Sequence, residues 1–289
     1  MFEEDWSALH KTPVVKVYAA NNQFQRFEVL KRNRNKRHHY REFFVEGVRN
    51  INEAVKNGWT IKGLLYSGQK PLSDWASDIL ARTAAATHYE LSDALLHQLS
   101  DKEDTSELIA IIQMSEDDPA RIVPDQNPLL VVFDRPSNKG NLGTMIRSCD
   151  ALGAQGLIIT GHAVDLYDPE TIGASMGSFF KLPVIRVPAA SDFQEWLERQ
   201  KARYPALRII GTSARAEHRT DGCDLTGPLV ILIGNETEGL SWNYKQACDS
   251  LVTIPMSAAG SASSLNVACA ASIILYEINR QRNRLRSEK

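Results

Sequence analysis

Three segments in the second half of the chain carry residue types that hold ligands or stabilise charge. In FDRPSNKGNLGTMIRSCDALGA, an apolar run ends at Asp134, a loop with Pro136, Gly140 and Gly143 follows, and a helix carrying Arg147 comes next. Asn141 is a suitable cap for that helix. A helix N-terminus attracts anions, and an arginine adds a planar fork of donors that matches phosphate. In LVILIGNETEGLS, Glu236 and Glu238 lie between Gly234 and Gly239, just past another apolar run. Glycines there permit close backbone approach, and two carboxylates make a ligand turn. In VTIPMSAAGSASSLNVACAASIILYE, small residues from Ser257 to Ser263 lead into a helix beginning near Ser264 and Asn266. That loop is thin enough to lie against a flat, adenine-like ligand or another backbone. Each segment alone also has a structural reading: a capped helix with a structural arginine, an acidic loop before SWNYKQAC, and Ser or Asn as helix caps.

The surrounding pattern says what positions these segments. Short runs that are apolar throughout (PLLVVFD, GLIIT, LPVIRV, ALRIIGTSA, LVILIGN, SLVTIP) alternate with helical patterns. Such runs predict an α/β fold, a parallel sheet flanked by helices on both faces. Ligands of open α/β sheets bind at the carboxyl ends of the strands. Upstream, FFVEG, IKGLLYSG and ELIAIIQM read as strands, and VRNINEAVKNG and LSDWASDILARTAAAT as helices, giving a small preceding α/β unit. The proline-containing polar stretch SEDDPARIVPDQN reads as a linker. The expected division is an N-terminal basic extension over 1–42, a small domain over 43–117, a linker over 118–127 and a large domain over 128–289.

The chain has 289 residues, with 33 Lys and Arg against 35 Asp and Glu and 43 % apolar residues. This is an ordinary globular composition. Four cysteines without a Cys-x-x-Cys pair give neither a disulfide framework nor a zinc signature, so no metal is expected and a reducing compartment, the cytoplasm, is. The start, MFEEDWSALHKTP, lacks the apolar stretch of a secretory signal, and the longest apolar stretch is too short to span a bilayer. No membrane partner is expected. Net charge of −2 gives no argument for nucleic acid, but its distribution does. Arg26, Lys31, Arg32, Arg34, Lys36, Arg37 and Arg41 stand against the single Glu28. Such a run is suited to contacting phosphates, and equally reads as a solvated basic arm.

Taken together, NLGTMIRSCDALGA, ILIGNETEGLS and IPMSAAGSASSLNVACAASI resemble, in order and spacing, the three motifs of the SpoU/TrmH family of RNA ribose 2′-O-methyltransferases, part of the SPOUT superfamily. The resemblance covers roughly 128–280. FFVEGVRNINEAVKNGWTIKGLLYSG resembles the small substrate-binding domain that often precedes the catalytic domain. The resemblance implies a C-terminal deep trefoil knot, S-adenosylmethionine bound in it, a homodimer, and a ribosomal or transfer RNA substrate.

It also implies residue roles. Arg147 matches the motif-one arginine and Asn141 the motif-one asparagine. Glu236 matches the motif-two glutamate, and Ser264 and Asn266 match the motif-three Ser-x-Asn. Gly234, Asn235, Ile254, Met256, Ser264 and Leu265, with Thr212, Ser213 and Ala214, fall where relatives line the cofactor pocket. Arginine stays charged at any ordinary pH, which suits Arg147 to phosphate clamping and alkoxide stabilisation, with Asn141 holding it, Glu236 anchoring it or nearby donors, and Ser264 and Asn266 positioning the ribose and the loop. A catalytically inactive RNA-binding module of the same fold is the alternative; the presence of Arg147, Glu236 and Asn266 weighs against it. A nucleotide-dependent oxidoreductase would need G-x-G-x-x-G, which NKGNLG is not.

Overall fold

The structure, a computed structural model, describes residues 12–287. The reading of the acidic start falls almost wholly outside them. The chain forms two compact units: one holds the residues up to Met114 with Tyr167–Pro169, the other holds Ser115–Leu166 with Glu170 onward.

The first unit contains β1 (Val14–Val17), α1 (Asn22–Arg32), α2 (Arg34–Tyr40), β2 (Glu42–Glu46), α3 (Val48–Lys56), β3 (Ile61–Ser67), α4 (Asp74–Arg82), β4 (Thr87–Leu91), α5 (Asp93–Leu99) and β5 (Leu108–Gln113). Its mixed sheet has the order β1-β4-β3-β5-β2. The expected basic extension needs correction. Its residues from Val14 on are β1, α1 and α2, and α1 buries Phe24, Phe27 and Leu30 in the core beside Phe44, Leu65 and Leu91. Apolar residues at three-residue spacing give α1 its inward stripe.

The charges of that run therefore divide. Arg37 is only 1 % exposed and is corrected from an RNA contact to a structural residue. It donates to the carbonyls of Leu30 (3.0 Å) and Lys31 (2.9 Å) at the end of α1, and to Asp168 (3.0 Å). A buried cation persists only when paired in this way. Arg26 pairs with Glu42 at 2.7 Å and Lys31 with Asp101 at 2.6 Å. Arg32, Arg34 and Lys36 are exposed, while Arg41 is half-buried in a left-handed conformation after α2.

The second unit contains β6 (Leu129–Asp134), α6 (Lys139–Ala151), β7 (Gly156–Thr160), α7 (Pro169–Ser175, its first residue grouping with the first unit), β8 (Val184–Val187), α8 (Ala190–Arg203), β9 (Arg208–Thr212), β10 (His218–Arg219), β11 (Leu229–Ile233), α9 (Trp242–Ala247), β12 (Ser250–Thr253) and α10 (Val267–Ser287). Its seven strands are all parallel, in the order β10-β12-β9-β11-β6-β7-β8. Leu130, Val132, Val230 and Leu232 meet Phe193, Trp196 and Leu197 of α8 and Tyr244 of α9 on one face. On the alternate side, α6 and α10 pack together, joined by a 2.7 Å hydrogen bond between the Ser148 and Ser272 hydroxyls. The expected linker also takes part in this unit, since Ile122 is buried in the same core cluster.

Register brings the chemistry-bearing ends level. Ile233 pairs with Phe133, Leu232 with Gly211, and Thr212 with Val252. The chain thus leaves β6, β11, β9 and β12 side by side at their carboxyl ends. Gly140 and Gly143 lie inside α6 rather than in the loop before it. A Cβ on Gly143 would lie 2.5 Å from Ala174 Cβ and closer still to the Thr171 carbonyl, so α6 and α7 touch there because the residue has no side chain. Gly143→Ala should lower stability by about 1–2 kcal/mol, overpacking outweighing better helix propensity. Gly173→Ala, where a Cβ meets nothing within 4 Å, should be neutral or mildly stabilising. Urea midpoints followed by circular dichroism check both.

Candidate active site

The site is assembled around the carboxylate of Glu236. It accepts from the Ser137 backbone N–H (2.9 Å), the Ser137 hydroxyl (2.7 Å), the Asn138 N–H (3.1 Å) and Asn141 Nδ2 (3.3 Å). The motif-two turn is thereby fastened to the start of α6, where the helix dipole favours a negative charge. Burial pushes the Glu236 pKa up, but the donors from Ser137 and Asn141 outweigh it and hold it below the ordinary value.

The relay continues to the third segment. Asn266 Nδ2 donates to Asn141 Oδ1 at 3.0 Å, and Asn266 Oδ1 accepts from the N–H groups of Ala268 (2.9 Å) and Cys269 (3.3 Å). Asn266 is therefore both the cap of α10 and the link to motif one. Asn141 is not the cap of α6, as its sequence position suggested. Asn138 is, its side chain accepting from Asn141 N at 2.9 Å. That leaves the Asn141 side chain free to bridge Glu236 and Asn266.

Arg147 stands apart from this relay. It is exposed on α6 and makes no hydrogen bond or ion pair among the described residues, with Asn141 and Glu236 included. The expected holding of Arg147 by Asn141 is corrected on this point; of the two partners expected for Glu236, Arg147 or nearby donors, the carboxylate takes nearby donors. Six residues along a helix is a rotation of about 240°, so the two side chains leave different faces. Ser264 is exposed on the wall of the adjacent cleft.

That cleft, of about 500 Å³, opens at the ends of β9, β11 and β12, and all nine residues expected around a cofactor line it. Its volume is in the ordinary range for a small-molecule site. Met256 and Leu265 present apolar side chains 43 % and 37 % exposed, which a flat heterocycle would cover. Thr212, Ser213, Asn235 and Ser264 add polar groups. Mixed apolar and polar walls of this kind fit S-adenosylmethionine.

Three contributing residues escaped the sequence reading. Asp134 is buried at the end of β6 and accepts from Arg135 Nε and Nη2 (both 3.2 Å) and from the Ser241 N–H (3.0 Å). Arg135 has φ of 50°, pairs with Glu238 and donates to the Gly239 carbonyl at 3.2 Å. Its own carbonyl accepts from Asn235 Nδ2 at 2.7 Å. Asp134 and then Glu238 raise its pKa. Ser137 is the third, as donor to Glu236. An Asp-Arg pair ending an apolar strand was the available signal, because a buried carboxylate needs a partner.

The chain matches the SpoU rRNA Methylase family over residues 128–276 and the SpoU L30e-like domain over 21–110. It is 44 % identical over 274 residues to the 23S rRNA (uridine(2479)-2′-O)-methyltransferase of Streptomyces viridochromogenes, covering 94 % of each chain. The crystal structure of the SpoU methyltransferase AviRb from that organism, in complex with the cofactor AdoMet, is 45 % identical with a TM-score of 0.86, over 91 % of this chain and 98 % of that one. An AdoMet-bound rRNA methyltransferase from Sinorhizobium meliloti is 30 % identical with a TM-score of 0.79, over 92 % and 98 %.

The depressed pKa of Glu236 fixes a sign. Its stabilisation is fully present above the ordinary carboxylate pKa and is lost as pH falls through the lower folded value. Glu236→Gln should lose about 1–2 kcal/mol near neutrality, from charge-assisted hydrogen bonds to a partly solvated group. Urea titrations of the two proteins should converge below the ordinary carboxylate range; a constant gap at every pH contradicts the assignment.

Proposed function

The chain belongs to the SpoU rRNA methylase family, and we propose that this S-adenosylmethionine-dependent RNA 2′-O-methyltransferase acts on a ribose of 23S rRNA. The observation that carries the reading is the Glu236–Asn141–Asn266 relay, which gathers all three motifs beside a cleft of the right size and character. The rRNA target is supported by the near full-length match to a 23S rRNA enzyme, and uridine is the nucleotide that this match favours.

When bound, S-adenosylmethionine supplies an electrophilic methyl group. The apolar side chains of Met256, Leu265 and Ile254 would hold its adenine, with Thr212–Ala214 and Asn235 offering polar contacts. Arg147 contacts the RNA, clamping a phosphate and stabilising the 2′-oxygen as negative charge develops there. It is not the base, since guanidinium keeps its proton; a phosphate oxygen or water takes the hydroxyl proton. Asn141, Glu236 and Asn266 act on the framework, fixing α6 against the motif-two turn and the start of α10. Ser264, on the cleft wall, orients the ribose. Proximity of this kind can supply up to ~7–11 kcal/mol of the barrier reduction.

Three further points belong to the same reading. The segment between β12 and α10 threads through a loop as the deep trefoil knot of the family. Two copies pair through the knotted unit, for which the exposed Ile273 and Tyr276 on α10 provide an apolar stripe. The first unit selects the RNA, with Arg32, Arg34 and Lys36 of its α1 and α2 reaching phosphates, and the work is done in the cytoplasm, where ribosomal RNA is. Among the described residues no helix is long and apolar enough to cross a membrane.

Arg147→Ala should reduce methyl transfer from radiolabelled S-adenosylmethionine to an unmodified 23S rRNA transcript by roughly 10²–10³-fold, the effect of removing one charge-stabilising donor. The calorimetric Kd for S-adenosylmethionine should stay within about twofold, because the residue lies outside the cleft wall. Near-normal turnover would contradict the role.

A further inference from the structure

Trp242 is 73 % exposed, the most exposed large aromatic side chain among the described residues. An exposed tryptophan is informative because this side chain carries so much apolar area. Its exposure does not come from a loose segment. The preceding Leu240 and following Tyr244 are both buried, and the Tyr244 ring packs on Phe193 with centroids 4.7 Å apart. The Ser241 N–H is held by the buried Asp134 at 3.0 Å. The indole therefore stands on a fixed turn.

Its location is equally specific. Leu240 and Lys245 both line the cofactor cleft, and Trp242, the first residue of α9, lies between them in the chain. Lys245 follows Trp242 by three residues, which puts both on one side of the helix. Arg215, beyond the end of β9, lines the same cleft. The charges on the wall are unbalanced in an informative way. Glu236 is occupied by the donors of motif one, and Glu238 is paired with Arg135. Lys245 and Arg215 are exposed and make no side-chain ion pair among the described residues.

We propose that Trp242 is a stacking platform for an RNA base next to the methylated nucleotide, with Lys245 and Arg215 receiving the flanking backbone phosphates. The proposal rests on the RNA methyltransferase reading above. Sequence-specific RNA recognition is directed mostly at unpaired loops and bulges, and proteins hold unpaired nucleotides by pairing aromatic faces with cationic side chains. An anionic strand complements the two free cations, whereas an apolar protein patch would leave them unmatched. Stacking tolerates any base, so Trp242 adds affinity and position while identity is read elsewhere.

The test compares wild type, Trp242→Ala and Trp242→Phe on an unmodified 23S rRNA transcript. Trp242→Ala should raise the KM for the transcript roughly five- to hundredfold, the range for loss of one base–aromatic stack. Trp242→Phe should recover most of the loss. The calorimetric Kd for S-adenosylmethionine and the sedimentation mass should not change. An unchanged KM, or a lighter species that marks Trp242 as a contact between protomers, overturns the platform. If wild type leaves the transcript unmethylated, the 23S reading has failed on its own. Octauridine titrations of the wild-type protein and Trp242→Ala then decide the platform separately, equal affinities refuting it.

Discussion

Everything at this site depends on one carboxylate being surrounded by donors. Glu236 comes from the turn after β11, and its partners Ser137, Asn138 and Asn141 come from the start of α6. Without it, the first N–H groups of that region would lack an acceptor and Asn141 would lose the contact that orients it. With it, the Asn141 oxygen is turned to Asn266, which fixes where α10 begins. One turn of the cleft wall and the starts of two helices are thus held by the same few polar groups. Such networks are demanding, because a group left unpaired in them costs more than a satisfied one contributes.

The sheet makes the arrangement available. Placing β11 between β6 and β9 sets three segments distant in sequence at one edge, level with one another. Glycine is required where they meet. A side chain on Gly234 would run into the backbone of Gly239 and Leu240, so the turn folds directly back on its strand. Arg135 tightens the same turn from the other side. Its left-handed backbone costs on the order of 1 kcal/mol, offset by Asp134, Glu238 and two backbone contacts. The rigid mount of Trp242 is a consequence of the same clasp, since Asp134 also holds Ser241.

Much of this was legible in the sequence for a physical reason. Buried parallel strands are apolar throughout, and each was followed by small or polar residues where the ligand end must lie. The less legible parts have physical causes too. β4, THYEL, mixes polar residues into a half-covered strand, and α1 and α2 hide a three-residue apolar stripe under a conspicuous run of charge. Charge suggested a free arm, whereas Arg37 shows that one of those cations is needed inside. Asn138 and Asn141 are both good caps three residues apart, and only the helix start distinguishes them. The spacing of Asn141 and Arg147 marked both residues but not the faces they occupy. A left-handed arginine at 135 has no sequence signature.

The central claim is that the three motif segments behave as one coupled unit through side chains that need not touch the reacting atoms. It is tested most directly by a double-mutant cycle on Asn141→Ala and Asn266→Ala, read as kcat/KM for methyl transfer to the 23S rRNA transcript. Loss of the α10 cap cancels in such a cycle, leaving the coupling. The account predicts that the double variant loses less than the sum of the singles, by about 1 kcal/mol or more. Additivity within ~0.3 kcal/mol would show that the asparagines act independently and would contradict it.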